Sequence, residues 1–372
     1  MRKAYMKYNI KGGFIAATKK SAKSTSTIDD LKINAANATN GTGTVAANPE
    51  QNAALFLSPV NIGGQTLNLD FDSGSSDLWV FSTQLPQKSI GQHSAFDASK
   101  STTFKPVQGA QFSISYGDGS GAAGTVGTDQ VNIGGVTVQD QTVELATAVS
   151  QSFVQDTNTD GLVGLAFSQL NTVNDGTKKT PQKTFFDNVM PTLNEPVFTA
   201  DLKVDGTGTY EFGKIDTTKF NGAMVWAAVN ASSGFWQFDS KSFAVNGKVQ
   251  QNANASPAIA DTGTSLLLVD QPVADAYYKQ VEGAQNNAQV GGFVYPCDAK
   301  LPDMALAVGT NMVTVPGSQV NFATVDQANT TCFGGIQGNG GAGIQIYGDV
   351  LFRAQFVAFN GGNQSLGFGA KQ

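Results

Sequence analysis

The stretch Leu67-Asn68-Leu69-Asp70-Phe71-Asp72-Ser73-Gly74-Ser75 returns 189 residues later, in altered form, as Ala258-Ile259-Ala260-Asp261-Thr262-Gly263-Thr264. Each copy reads as a buried, mainly apolar strand that runs into an acid, a small hydroxyl residue, glycine and a second hydroxyl residue. A lone Asp-Ser/Thr-Gly is most simply a turn whose aspartate bonds its own backbone. A lone turn does not account for a second landmark, two large residues followed by glycine, that both copies share downstream. Leu162-Val163-Gly164 ends 92 residues after Asp72, and Ile346-Tyr347-Gly348 ends 87 residues after Asp261. Such a chain is duplicated, and it has to fold as two related halves that contribute to one site.

Length and composition agree. A chain of 372 residues exceeds one ordinary core, so two lobes of about 150 residues each are expected. With 42 Gly, 24 Phe and only 14% charged residues, short Val/Ile/Thr/Phe runs alternate with Gly, Asn and Asp, which predicts an all-β fold. No apolar run approaches the roughly 18 residues of a membrane-spanning helix. The net charge of −6 argues against a nucleic-acid partner. That charge is uneven: residues 1–41 hold Arg2, Lys3, Lys7, Lys11, Lys19, Lys20, Lys23 and Lys32 against Asp29 and Asp30, a net +6, which leaves −12 for the other 331. A solvated basic tail and a removable leading segment both fit this head.

The only histidine is His93 and the only cysteines are Cys297 and Cys332, too few for a zinc site or a Ser-His nucleophile, so no metal and no cofactor are expected. The cysteines are either two buried thiols or a disulfide closing about 35 residues, worth roughly 3–4 kcal/mol in an oxidising compartment. Sequons at Asn37, Asn40, Asn230, Asn329 and Asn363 are compatible with secretion. The opening residues carry no secretory signal, since Gly12-Gly13-Phe14-Ile15-Ala16-Ala17 is too short and too weakly apolar.

Along the chain, Leu55 to Gly64 reads as a strand and hairpin leading to the Asp72 strand. Ser76-Asp77-Leu78-Trp79-Val80-Phe81 follows the motif. Phe112 to Gly121, returning through Gly124 to Asp129, is a second hairpin with Tyr116-Gly117-Asp118-Gly119 at its tip. Phe185–Val189 and Gln271–Val281 are the helix candidates, and Pro196–Leu202 with Tyr210–Gly213 reads as two joining strands.

This ordered set resembles the pepsin-like aspartic proteases, of the fungal secreted type, over about 325 residues from Pro49 to the C-terminus. The resemblance implies a bilobal acid-protease fold with a partial propeptide and connector at 1–41, a first lobe at 42–218 and a second at 219–372. The residues around Lys7-Tyr8 resemble the end of such a propeptide. Asp72 and Asp261 then match the catalytic pair, supported by Ser73, Gly74, Ser75, Thr262, Gly263 and Thr264. Tyr116, Gly117 and Asp118 match the flap that closes on substrate, backed by Trp79. Phe153 and Leu162 match the pocket for the side chain before the cleaved bond, although ordinary core explains them equally. The expected substrates are polypeptides, the expected state a monomer blocked by pepstatin-type peptides, and the expected location extracellular or, alternatively, vacuolar. Ser73 departs from the threonine usual there, keeping the hydroxyl and losing a methyl.

The residues make chemical sense of that implication. Hydrolysing an amide without metal, histidine or thiol needs one group to deprotonate water and another to protonate the carbonyl, and two adjacent carboxyls sharing one proton do both. The pKa behaviour of such a dyad is the established property of this enzyme class. The rival reading is a pepsin-fold binding or inhibitory protein that has lost hydrolysis, which would ordinarily have replaced an aspartate or the flap tyrosine.

Overall fold

The computed structural model describes residues 41–50, 53–117 and 119–371. The basic head, apart from Gly41, lies outside the described residues, as do Asp118 and the sequons Asn37 and Asn40.

Strand Phe56–Ile62 pairs antiparallel with Gln65–Asp72, in a register that runs from Ile62 opposite Gln65 to Leu57 opposite Asp70. The two-residue turn between them, Gly63-Gly64, has φ of +53° and +84°, left-handed values that glycine adopts without strain and that a tight hairpin requires. Along Gln65–Asp72 the side chains of Leu67, Leu69 and Phe71 enter the core at the two-residue period of a strand. Over its last four residues the strand is buried on both faces, which brings Asp72 to its end with little freedom.

The duplication is visible in strand order. Gln65–Asp72 lies parallel to Gly161–Gly164, which lies antiparallel to Leu78–Phe81, itself parallel to Val136–Val149. The second half repeats this with Ala258–Ala260, Gln345–Tyr347, Leu267–Val269 and Ile336–Gly338, in the same senses. Leu78 pairs with Val163 and Leu267 with Tyr347, in each case the residue before the landmark glycine. That glycine has a steric cause. A Cβ on Gly164 would lie 2.5 Å from the Asp77 amide nitrogen and the Ser76 Cα, and one on Gly348 would lie 2.0 Å from the Thr264 carbonyl oxygen. Only glycine lets the loop after each aspartate cross its neighbour strand so closely.

The expected joining strands, Val197–Asp201 and Gly208–Phe212, pair with each other and lie between Gly43–Pro49 and Gln355–Asn360. One 13-stranded sheet therefore runs from Asn221–Ala228 to Lys105–Ser115 and carries strands from both ends of the chain, with further sheets of five, four and four strands. The boundary expected at 218/219 falls inside the helical turn Thr217–Lys219. Helix Phe185–Val189 forms where expected, its first turn capped by the Thr184 hydroxyl, which accepts from the Asp187 N–H. The second helix, Gln271–Tyr278, stops three residues before Val281; the chain leaves it in turns that lead to Gly283, whose φ is +71°. Cys297 and Cys332 form a disulfide, which removes the two-thiol alternative.

Most buried apolar residues belong to one large core cluster. A smaller one, built on Trp79, Phe81, Phe112, Phe153 and Leu162, lies under the Lys105–Ser115 hairpin.

Candidate active site

Asp72 is the last residue of its strand and Asp261 follows directly on Ala258–Ala260. Both are buried. The chain turns at once after each, and the turn folds two donors back onto the acid. The Gly74 N–H lies 2.9 Å from Asp72 Oδ1 and the Ser75 hydroxyl 2.5 Å from Oδ2; the Gly263 N–H lies 3.0 Å from Asp261 Oδ1 and the Thr264 hydroxyl 2.5 Å from Oδ2. These donors fix the direction of each carboxyl. The motif's residue types follow from this: a glycine amide two residues on, and a hydroxyl three residues on.

The intervening hydroxyl residues tie the two turns together. The Thr262 N–H donates to Ser73 Oγ at 2.9 Å, and the Ser73 N–H donates to Thr262 Oγ1 at 3.1 Å. Each hydroxyl in turn donates to the carbonyl just before the opposite aspartate: Ser73 Oγ to the Ala260 oxygen at 3.0 Å and Thr262 Oγ1 to the Phe71 oxygen at 2.6 Å. All four bonds are buried and nearly two-fold symmetric, so the two aspartate turns are held against each other by a reciprocal lock. Serine at 73 makes every bond that the pattern asks of threonine.

The hairpin expected to form the flap pairs Lys105–Ser115 with Gly121–Ile133, closing at Ser115 opposite Gly121. At its tip the Tyr116 N–H donates to the Ser120 oxygen at 2.8 Å and the Gly119 N–H to the Tyr116 oxygen at 2.9 Å. Gly119 has φ of +71°, a conformation that suits glycine. Trp79, fully buried, donates its indole N–H to the Tyr116 hydroxyl at 3.0 Å. The Phe153 ring packs edge-on against Trp79 at 4.9 Å and against Tyr116 at 5.9 Å. Trp79 is thus both a core residue and the backing for Tyr116. Loss of water, with the nearby Asp72 charge, holds the Tyr116 phenol neutral well above its usual range, so it acts as a hydroxyl donor or acceptor and not as an acid. Phe153, on the short helix Gln151–Gln155, and Leu162 are buried in the same cluster. Gly117 is partly exposed beside Tyr116.

The sequence reading missed a buried polar layer behind this site. Asp77 and Glu144 are wholly buried, and Asn171 and Thr172 bond to them. The signal was present: Glu144 sits in Val143-Glu144-Leu145-Ala146, where every neighbour is apolar and buried. A charge in a strand covered on both faces needs a partner. The Trp236 indole N–H, likewise unanticipated, donates to the Leu165 oxygen at 2.8 Å across the halves.

Two buried aspartates, each clasped by its own glycine amide and hydroxyl and presented by interlocked duplicate turns, define a site of the aspartic-protease class. The family model described as eukaryotic aspartyl protease matches residues 56–371, and the chain belongs to that family. It is 52% identical over 332 residues, 88% of this chain and 77% of the relative, to an aspergillopepsin A-like aspartic endopeptidase of Aspergillus fumigatus. It is 47% identical over 331 residues to aspergillopepsin-1 of Aspergillus oryzae, covering 89% of this chain and 80% of that one. Against endothiapepsin of Cryphonectria parasitica it is 48% identical over 319 residues, 85% and 75% of the two chains. The chain is accordingly a hydrolase of the aspartic endopeptidase class. Among the described residues, no helix is long and apolar enough to cross a membrane.

Proposed function

We propose that this chain hydrolyses peptide bonds in proteins at acid pH, with water activated between Asp72 and Asp261. The reciprocal Ser73/Thr262 lock carries the reading, because it exists only to hold two aspartate turns together. In the mechanism, one carboxyl is ionised and takes a proton from water as the oxygen attacks the peptide carbonyl. The other, protonated, donates to the carbonyl oxygen, giving a gem-diol, and the pair then passes a proton to the leaving nitrogen. Protons balance over the cycle and no covalent intermediate is needed. Gly74, Ser75, Gly263 and Thr264 orient the carboxyls, so the dyad meets substrate without reorganising.

Tyr116, Gly117 and Asp118 form the substrate-facing edge of the flap in this reading, and Phe153 and Leu162 line the pocket for a large hydrophobic side chain before the cleaved bond. The substrate binds as an extended strand, and an acid at Asp118 admits lysine in that pocket. Asp118→Ser should therefore reduce cleavage after Lys more than cleavage after Phe. Residues 42–218 and 219–372 act as the two lobes. Residues 1–41 are a partial propeptide whose +6 charge faces a −12 body at neutral pH and is released as acid neutralises the carboxylates. The enzyme works as an extracellular monomer, and the disulfide suits that compartment.

The test is turnover of denatured haemoglobin or casein at acid pH by the parent and by Asp72→Asn and Asp261→Asn. Both variants should fold and be inactive, and the parent should be blocked by pepstatin and indifferent to EDTA. Substantial activity in either variant would refute the mechanism. A folded parent with no turnover would return the chain to the binding-protein alternative.

A further inference from the structure

Behind Trp79, two buried carboxyls have no part in the reaction. Asp77 ends the loop that follows the Asp72 turn, and Glu144 stands on strand Val136–Val149 directly opposite Trp79 in parallel register. Each is 0% exposed. Thr172 holds one oxygen of Asp77, its N–H at 3.0 Å and its hydroxyl at 2.7 Å from Oδ1, while Asn171 Nδ2 donates to Glu144 Oε1 at 2.8 Å and to the Ser76 oxygen at 3.2 Å. Asp77 Oδ2 and Glu144 Oε2 have no hydrogen-bond partner among the described residues, and the two carboxyls meet at one shared donor, since Asn171 Nδ2 also lies 3.4 Å from Asp77 Oδ1. Two carboxylates have no hydrogen to share, so one of the pair is protonated. Asp77 has the donors that favour charge, and Glu144 has only Asn171; the proton belongs on Glu144.

We propose that Asp77 and Glu144 are a second, non-catalytic carboxyl pair that shares one proton, positions Trp79 and through it the flap tyrosine, and unlatches this part of the fold when that proton is lost. The main chain makes the coupling direct. Gly164 donates its N–H to the Asp77 oxygen at 2.9 Å, so the Asp77 backbone pins the landmark strand, while Glu144 lies beside the tryptophan that bonds Tyr116. The other titratable groups facing the pair are Lys179, on the loop beyond Asn174, and Tyr116 of the flap.

Burial, then the neighbouring Asp77, pushes Glu144 well above the usual carboxylate range, and burial raises Asp77 against the bonds from Thr172. For an acid whose folded value is raised, stability is fully present below the unfolded value and is lost as pH climbs through the folded one. The latch therefore holds in acid, where the dyad works. It opens as pH rises from the ordinary carboxylate range toward the raised value of Glu144, when both carboxyls become charged in a buried site.

Glu144→Gln tests this, since its amide donates permanently to Asp77 while its oxygen still accepts from Asn171. Melting is followed from about pH 5 to about pH 7.5 on Asp72→Asn protein, which avoids self-digestion under the proposed mechanism, and does not depend on the protease reading. The parent's midpoint should fall with pH and that of the Glu144→Gln protein should fall less. Each unit of pKa displacement is about tenfold in the folding equilibrium. Otherwise active Glu144→Gln enzyme, held near pH 7 and assayed after return to pH 4, should therefore lose activity more slowly than the parent. As a positioning effect, KM should match the parent's near pH 4 and stay lower than the parent's near pH 6. Asp77→Asn, which donates to Glu144 and removes the repulsion, should shift the same profiles in the same direction. Parent-like pH slopes in both variants overturn the proposal; a shift in either one that folds supports it.

Discussion

Replacing Ser73 with alanine removes one oxygen and separates the structural claim about the site from its chemistry. In the parent, Ser73 Oγ accepts from the Thr262 N–H and donates to the Ala260 oxygen, both buried. Ser73→Ala leaves an amide and a carbonyl orphaned where water does not reach. A buried polar group without its partner costs about 1–3 kcal/mol, so the variant, with two, should be destabilised by about 2–6 kcal/mol. Thr262→Ala orphans the symmetric pair, the Ser73 N–H and the Phe71 oxygen, and should cost about the same. Because each variant's losses flank the opposite aspartate, on the carbonyl before it and the amide after it, the two carboxyls should also drift out of register. A tenfold fall in rate needs only about 1.4 kcal/mol of lost transition-state stabilisation, so kcat should drop by at least that factor with KM less changed. The assay pairs urea unfolding, in an Asp72→Asn background, with kcat and KM in the active background. Ser73→Thr restores the hydroxyl and should return both. Parent-like stability and kcat in Ser73→Ala would mean that the cross-bonds are incidental and that something else aligns the turns.

Three further outcomes are expected. Gly164→Ala places a methyl against backbone atoms at 2.5 Å that no side-chain rotation can clear, so unfolding should become easier by about 1–3 kcal/mol or more, measured by thermal denaturation. Tyr116→Phe deletes the Trp79–Tyr116 hydrogen bond, worth about 0.5–1.5 kcal/mol, and peptide kcat/KM should fall by roughly two- to tenfold; an unchanged value would detach the flap tyrosine from substrate. Asp326 accepts from Thr330 and Thr331, bonds that lower its pKa to about 2. Its contribution to the disulfide-closed loop is present above the ordinary carboxylate value and lost only as pH falls through about 2. NMR titration should find this carboxyl still ionised at pH 3.

The paired aspartate turns were legible in the sequence alone, by repetition. Asp72 and Asp261, their hydroxyls and glycines, and the landmark glycines 164 and 348 were legible because local rules and a duplicated spacing agreed. The hairpins were legible for a similar reason, since paired glycines at positive φ and alternating apolar residues are properties of a few adjacent positions. Helix ends were less legible: the helix from Gln271 stops at Tyr278 because of the turns that follow, and no propensity placed that stop. What is expected of residues 1–41 and of Asp118 rests on sequence alone.

Tertiary structure decided whatever depends on partners far along the chain. Only the fold reveals that Ser73 and Thr262 satisfy each other's backbone across 189 residues, and that strands from both ends of the chain share one sheet. Asp77 and Glu144 show the difference most sharply. In sequence they are an acid after a turn and an acid in an apolar run, 67 residues apart, and neither names the other as its partner. Burial removes the water that would have separated them, and a shared proton is then the only way for the two carboxyls to sit together.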